Sequence, residues 1–117
     1  MRHVKLKPLE WIGSAKKNLM DFPEPVKDEI GYALHRVQEG KMPRSSKHLQ
    51  GIRSGVMEII SDYDTNTYRA VYVLNLGDKV YVLHCFQKKS KRGIETPKEE
   101  INVIKQRLKW LKSELDN

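Results

Sequence analysis

Residues 56–86 read VMEIISDYDTNTYRAVYVLNLGDKVYVLHCF. Three runs within this stretch, Val56–Ser61, Tyr68–Asn75 and Val80–Phe86, are rich in Val, Ile and Tyr. Their branched or planar side chains fit a pleated surface. The gaps carry turn chemistry: Asp64, Asn66 and Thr67 in the first, Gly77 and Asp78 in the second. Gaps this short leave no room for a crossover, so successive strands must be antiparallel neighbours, a meander.

The clearest helix follows the meander. Thr96, Pro97 and Glu99 supply an N-cap, a proline for the first helical position and the glutamate of a capping box. Ile101, Ile104, Leu108, Leu111 and Leu115 then recur at spacings of 3 and 4, an apolar stripe that must pack on the sheet or on a partner. Before the meander, Ser14–Phe22 reads as a short helix closed by Pro23 and Pro25. Pro25 opens a second helix, in which Val26, Ile30, Ala33, Leu34 and Val37 keep the 3.6 period until Gly40. His3–Leu6 alternates polar and apolar and suits a short first strand. Between Lys41 and Gly55 the periodicity disappears. Pro43, Ser45, Ser46, Gly51 and Ser54 there mark a loop long enough to suspect a function. The expected fold is α+β in the order β-α-α-β-β-β-α, with the helices packed on one sheet face.

The chain has 117 residues, 38% hydrophobic and 32% charged, with a net charge of +7. That length suits one domain spanning 1–117. No apolar stretch approaches the ~20 residues of a membrane helix. Charges between Met1 and Lys7 interrupt what a signal peptide would need. One cysteine rules out a disulfide framework, so a cytoplasmic protein is expected. One cysteine and four scattered histidines offer no convincing metal site, no nucleotide-type glycine loop is present, and neither metal nor cofactor is expected. Cys85 lies in an apolar run, where burial is the default.

The positive charge is local. Gly40–Met57 holds Lys41, Arg44, Lys47 and Arg53 without an acid, and Lys79–Ile94 holds Lys79, Lys88, Lys89, Lys91 and Arg92 without an acid. These windows carry +4 and +5, leaving the remaining residues at −2. Such segments usually meet polyanions. Alternation along the last strand places His84, Phe86 and Lys88 on one face. Antiparallel pairing brings Arg69 beside the end of that strand, and Glu58 lies on the first strand of the meander. An arginine, two lysines, a histidine and a carboxylate can therefore meet on one side of the sheet, flanked by Lys47 and His48 from the basic loop.

The segments HLQGIRSGVMEII (48–60) and YRAVYVLNLGDKVYVLHCFQKKSKRGIETPKEEI (68–101) resemble the HigB-like, phage-derived branch of the RelE/ParE toxin superfamily. The ordered pattern comprises Leu49 and Gly51 of a Leu-x-Gly loop, Glu58 on a strand, Tyr68–Arg69, then Phe86, Lys88 and Lys89, then Thr96–Pro97 opening a helix. Two departures stand out: many relatives carry an arginine where this chain has Ile60, and Ser90–Glu95 lengthens the segment after the lysines. The resemblance implies a RelE-like fold and the toxin of a type II toxin–antitoxin pair, a metal-independent endoribonuclease that cuts mRNA on the ribosome and inhibits translation. It implies a cognate antitoxin, of helix-turn-helix type as in HigB systems, with ribosome and mRNA as further partners and no membrane.

Cutting RNA to a 2′,3′-cyclic product needs a base for the 2′-hydroxyl, cations for the phosphorane and an acid for the leaving oxygen. On that reading Arg69 offsets transition-state charge and Lys88 or Lys89 is base or second clamp. His84 or His48 is the acid, with Glu58 in the same centre. Lys47, His48, Arg53, Lys91 and Arg92 form the RNA-binding set. Plainer readings stay open. Arg69 and Glu58 can be a cross-strand ion pair, Lys88 and Lys89 an edge guard, His84 a satisfied core histidine, and Tyr68 and Phe86 core side chains. Trp11 and Trp110 serve packing or the antitoxin interface. At the level of function, a ParE-like inhibitor of DNA gyrase and a non-catalytic basic RNA-binding module are the alternatives.

Overall fold

The computed structural model describes residues 5–52, 55–88 and 96–116. The elements are β1 (Leu9–Trp11), α1 (Ala15–Met20), α2 (Glu24–Gln38), β2 (Ser46–His48), β3 (Val56–Tyr63), β4 (Asn66–Val73), β5 (Val80–Lys88) and α3 (Lys98–Leu115). They build a mixed five-stranded sheet in the order β1-β5-β4-β3-β2. The expected meander is its centre: β3 pairs antiparallel with β4 and β4 with β5. The β3–β4 turn is tight, with Asp64 and Thr65 both at positive φ between the paired Tyr63 and Asn66, the left-handed turn that matches strand twist.

Two strands depart from expectation. The first strand lies at Leu9–Trp11, beyond the anticipated His3–Leu6, and runs parallel to β5. Of that anticipated strand, His3 and Val4 lie outside the described residues, and Lys5 and Leu6 belong to no strand. The basic loop contains β2, which pairs Lys47 with Glu58 at the edge of the sheet. Three residues are too few to show an alternation in sequence, so pairing with β3 creates this strand.

The helices do not share one face. Val26, Ile30, Ala33, Leu34 and Val37 of α2, with Ala15 and Leu19 of α1, pack on Met57, Ile59, Tyr68, Ala70, Tyr72, Val80, Val82 and Cys85. Ile104, Leu108 and Leu111 of α3 pack on the other side, against Val56, Val71, Val73, Tyr81, Leu83 and Phe86. The central strands are apolar on both sides, so each face needs its own cover.

A bulge in β5 controls which side chains reach the α3 face. Val71 pairs with His84 while Tyr72 pairs with Val82, leaving Leu83 as the extra residue. Strict alternation from Val80 and Val82 would turn His84, Phe86 and Lys88 toward α1 and α2. The extra residue reverses the phase, and His84 and Phe86 stack on the α3 side with ring centroids 5.1 Å apart.

Candidate functional site: a buried ion pair beneath a basic cleft

Glu58 on β3 and Arg69 on β4 point to the α3 face from neighbouring strands. They are diagonal neighbours, because Glu58 pairs with Val71, two residues beyond Arg69. Arg69 Nη1 donates to Glu58 Oε1 at 2.7 Å and to the Thr96 hydroxyl at 3.0 Å. Both members of the pair are buried, 2% exposed for Glu58 and 3% for Arg69. The cross-strand pair weighed as the plainer reading of these residues is therefore formed. Thr96 is drawn into it as well. The expected capping box is not made: Pro97 precedes the helix and no side chain caps its N-terminus.

Burial raises the pKa of Glu58, because a desolvated carboxylate is costly, while Arg69, Lys47 and Lys88 pull it down. Lys47, on β2, lies directly opposite Glu58 in the β2–β3 pairing. Lys88, at the end of β5, is buried and lies on the same side of the sheet. Glu58 thus sits among three cations. It also opens onto a cleft of about 620 Å³ between β2 and α3, lined by Lys47, His48, Gln50, Glu58, Thr96 and Lys105 among others.

His84 is held apart from this cleft. It lies two strand spacings from Glu58, about 10 Å, with Val71 between them in the pairing. Arg107 Nη1, 3.4 Å from His84 Nδ1, can only donate, so Nδ1 accepts and Nε2 carries the proton toward Glu100 Oε1 at 3.1 Å. Burial lowers the pKa of this imidazole, with Glu100 opposing the shift. The surroundings are those of a neutral, satisfied core histidine. His48, by contrast, is exposed and lines the cleft.

Lys89, Lys91, Arg92 and Arg53 lie outside the described residues. Tyr68 and Phe86 are core side chains, Tyr68 tilted against Phe22 and Phe86 stacked on His84. Arg107, unremarked in the sequence, clamps α3: it donates to the Leu83 carbonyl at 2.8 Å and to Ser14 Oγ at 3.1 Å. Gln50, Thr96 and Lys105 are cleft residues that the sequence reading does not mark as such, Thr96 because its identity and position suit a cap. Among the described residues no cluster of His, Cys, Asp or Glu is arranged to hold a metal ion, and no helix is long and apolar enough to cross a membrane.

Fold and site together define an α+β protein with a basic cleft over a buried carboxylate–guanidinium pair. The model of the family described as phage derived protein Gp49-like (DUF891) matches residues 17–109, and the chain belongs to that family. The free E. coli toxin RelE, solved as a double arginine mutant, superposes with a TM-score of 0.58 at 18% identity, covering 89% of this chain and 96% of RelE. A chain of the toxin–antitoxin complex RelBE2 from Mycobacterium tuberculosis superposes with a TM-score of 0.51 at 15% identity, covering 71% of this chain and 99% of that one. These likenesses establish the fold. No curated protein matches the chain in sequence.

Proposed function

We propose that this protein is the toxin of a toxin–antitoxin pair and acts in the cytoplasm as a metal-independent endoribonuclease on ribosome-bound mRNA, held inactive by a cognate antitoxin. The observation that carries the reading is the position of Glu58. It is a carboxylate of raised pKa at the wall of a basic cleft, hydrogen-bonded to a buried arginine and flanked by two lysines. RNA backbone entering the cleft meets a proton acceptor and fixed positive charge together, the two needs of 2′-hydroxyl attack on the adjacent phosphate. Glu58 takes the 2′-hydroxyl proton, and Arg69 and Lys88 offset the developing phosphorane charge. His48, on the cleft wall, is better placed than His84 to protonate the leaving oxygen. By sequence, Lys89 remains a proposed second clamp in the catalytic set, and Arg53, Lys91 and Arg92 remain in the proposed RNA-contacting set. Family membership and the RelE fold support a toxin, the carboxylate and cations gathered at the cleft favour a nuclease over a gyrase inhibitor or a passive RNA-binding module, and the complex of RelBE2 supports an antitoxin partner.

The test is to map mRNA 5′ ends in cells after brief induction of wild type, Glu58→Gln and Lys88→Ala, each checked for folding by its thermal denaturation. New ends within translated frames for wild type, reduced by roughly 10²-fold or more in a folded variant, are the expected result. Growth arrest without new ends overturns the nuclease reading in favour of protein-directed inhibition, and no arrest overturns toxicity itself.

A further inference from the structure

A third acid-free basic window lies in the last helix. Ile101–Ser113 contains Lys105, Arg107, Lys109 and Lys112 and no Asp or Glu. With the two windows noted above, these segments hold +13, and the rest of the chain sums to −6. Arg107 is turned inward, to the Leu83 carbonyl and Ser14. The other three fall at i, i+4 and i+7 along one flank of the buried stripe of α3. None of them is ion-paired to a described residue. Like charges four apart work against the helix, and no acid stands between Lys105 and Lys112 to offset them.

The flank forms one wall of an open groove of about 680 Å³, with Gly51 and Ile52 opposite and Leu108 at its floor. This groove adjoins the cleft over Glu58: Gly51 and Lys105 border both. The tertiary fold thus gathers Lys47 and His48 from the first window and three lysines from the third along one continuous track. Lys105 to Lys112 covers about 10 Å of helix axis. An apolar floor beside a row of cations, Lys105 and Lys109 exposed and Lys112 half-buried, suits a flexible polyanion with apolar faces of its own, which is a single-stranded nucleic acid.

We infer that the groove between α3 and Gly51–Ile52 is an extended single-strand RNA site. The strand leaving the cleft lies along α3 with its phosphates on Lys105, Lys109 and Lys112 and its bases against Ile52 and Leu108. The inference rests on the cleft being the RNA-cutting site and extends it to a second segment of the substrate.

The experiment measures fluorescence anisotropy of a short labelled single-stranded RNA across a salt series. It uses wild type, the variant Lys105→Gln/Lys109→Gln/Lys112→Gln, and a control, Lys16→Gln/Lys17→Gln, which removes exposed charge from α1 on the other side of the sheet. Glutamine keeps helix propensity, and thermal denaturation of each variant establishes that it folds. The expected result is that the α3 variant flattens the slope of log affinity against log salt by about 2, since each released single-strand contact contributes about 0.7, while the control keeps the wild-type slope. An unchanged slope in the α3 variant, or the same loss per charge in the control, overturns the groove and leaves the nuclease reading standing. A flattened slope without RNA cleavage on ribosomes supports the groove and overturns the nuclease reading. A wild type that binds no RNA at any salt concentration overturns both.

Discussion

Glu58 and Arg69 are separated by 2.7 Å with almost no exposure, so each is the reason the other can be buried. Removing one partner of such a pair strands the other charge in the interior, at a cost of about 3–5 kcal/mol. Removing both need not. In urea denaturation, Arg69→Ala is therefore expected to lose that much, and Arg69→Ala/Glu58→Ala clearly less than the sum of the single variants. Additive losses would show that the two groups do not depend on each other. Titration offers a second handle at this scale. The pKa of His84 is held below its ordinary 6.5 by burial. From pH 6.5 down to the folded value the unfolded chain binds a proton that the folded protein does not, so stability falls with acidification across that window. Glu58 has the opposite sign. Its raised pKa means that its stabilising contribution is present below 4.5 and is lost as pH rises through the folded value. Denaturation midpoints measured from about pH 7.5 to about 5.5 should fall for wild type, and His84→Gln should flatten that decline. An unchanged profile in the variant would place the acid-sensitive group elsewhere.

At the scale of elements, α3 divides into parts with different duties. Ile104, Leu108 and Leu111 are buried against the sheet, whereas Leu115, the last residue of the same stripe, is 44% exposed. The stripe was legible from its spacing. Its end was not, because spacing carries no information on where the sheet beneath it stops. Leu108→Ala should cost about 2–5 kcal/mol, and Leu115→Ala should stay within about 0.5 kcal/mol of wild type, both read from urea midpoints. Equal effects would mean that the C-terminal turn also packs. The start of α3 carries a parallel lesson. Thr96 has the identity and position of an N-cap, yet its hydroxyl accepts from Arg69. A buried guanidinium is a stronger demand on a nearby oxygen than an exposed helix end, whose N–H groups water can satisfy.

The whole molecule has two cores that share one sheet. β3, β4 and β5 contribute alternate side chains to both, so the two cores are coupled through the strands they share. Trp11 packs against the core under α1 and α2, while Trp110 sits on α3. Urea transitions followed by fluorescence in Trp110→Phe, which leaves Trp11 as reporter, and in Trp11→Phe, which leaves Trp110, should each coincide with the far-ultraviolet circular dichroism transition of the same variant. Separate transitions within one variant would mean that α3 unfolds as its own unit. The two-sided burial was readable in principle: AVYV in β4 and VYVLHCF in β5 are nearly unbroken apolar runs, the mark of strands covered on both faces. An expectation of helices on one face overlooked that mark.

What the sequence determined by itself is local: the three strands of the meander, the three helices with their apolar stripes, and the clustering of cations into acid-free windows. These follow from side-chain spacing and turn chemistry within a few residues. Three features depended on tertiary structure. β2 exists because β3 offers it an edge. The bulge at Leu83 turns His84, Phe86 and Lys88 to the α3 face, since an extra residue in one strand reverses its alternation. The cationic track assembles only when α3 packs beside β2 and the Gly51–Ile52 turn. Electrostatic interaction falls with distance in space, not along the chain, and the fold makes neighbours of charges from windows tens of residues apart.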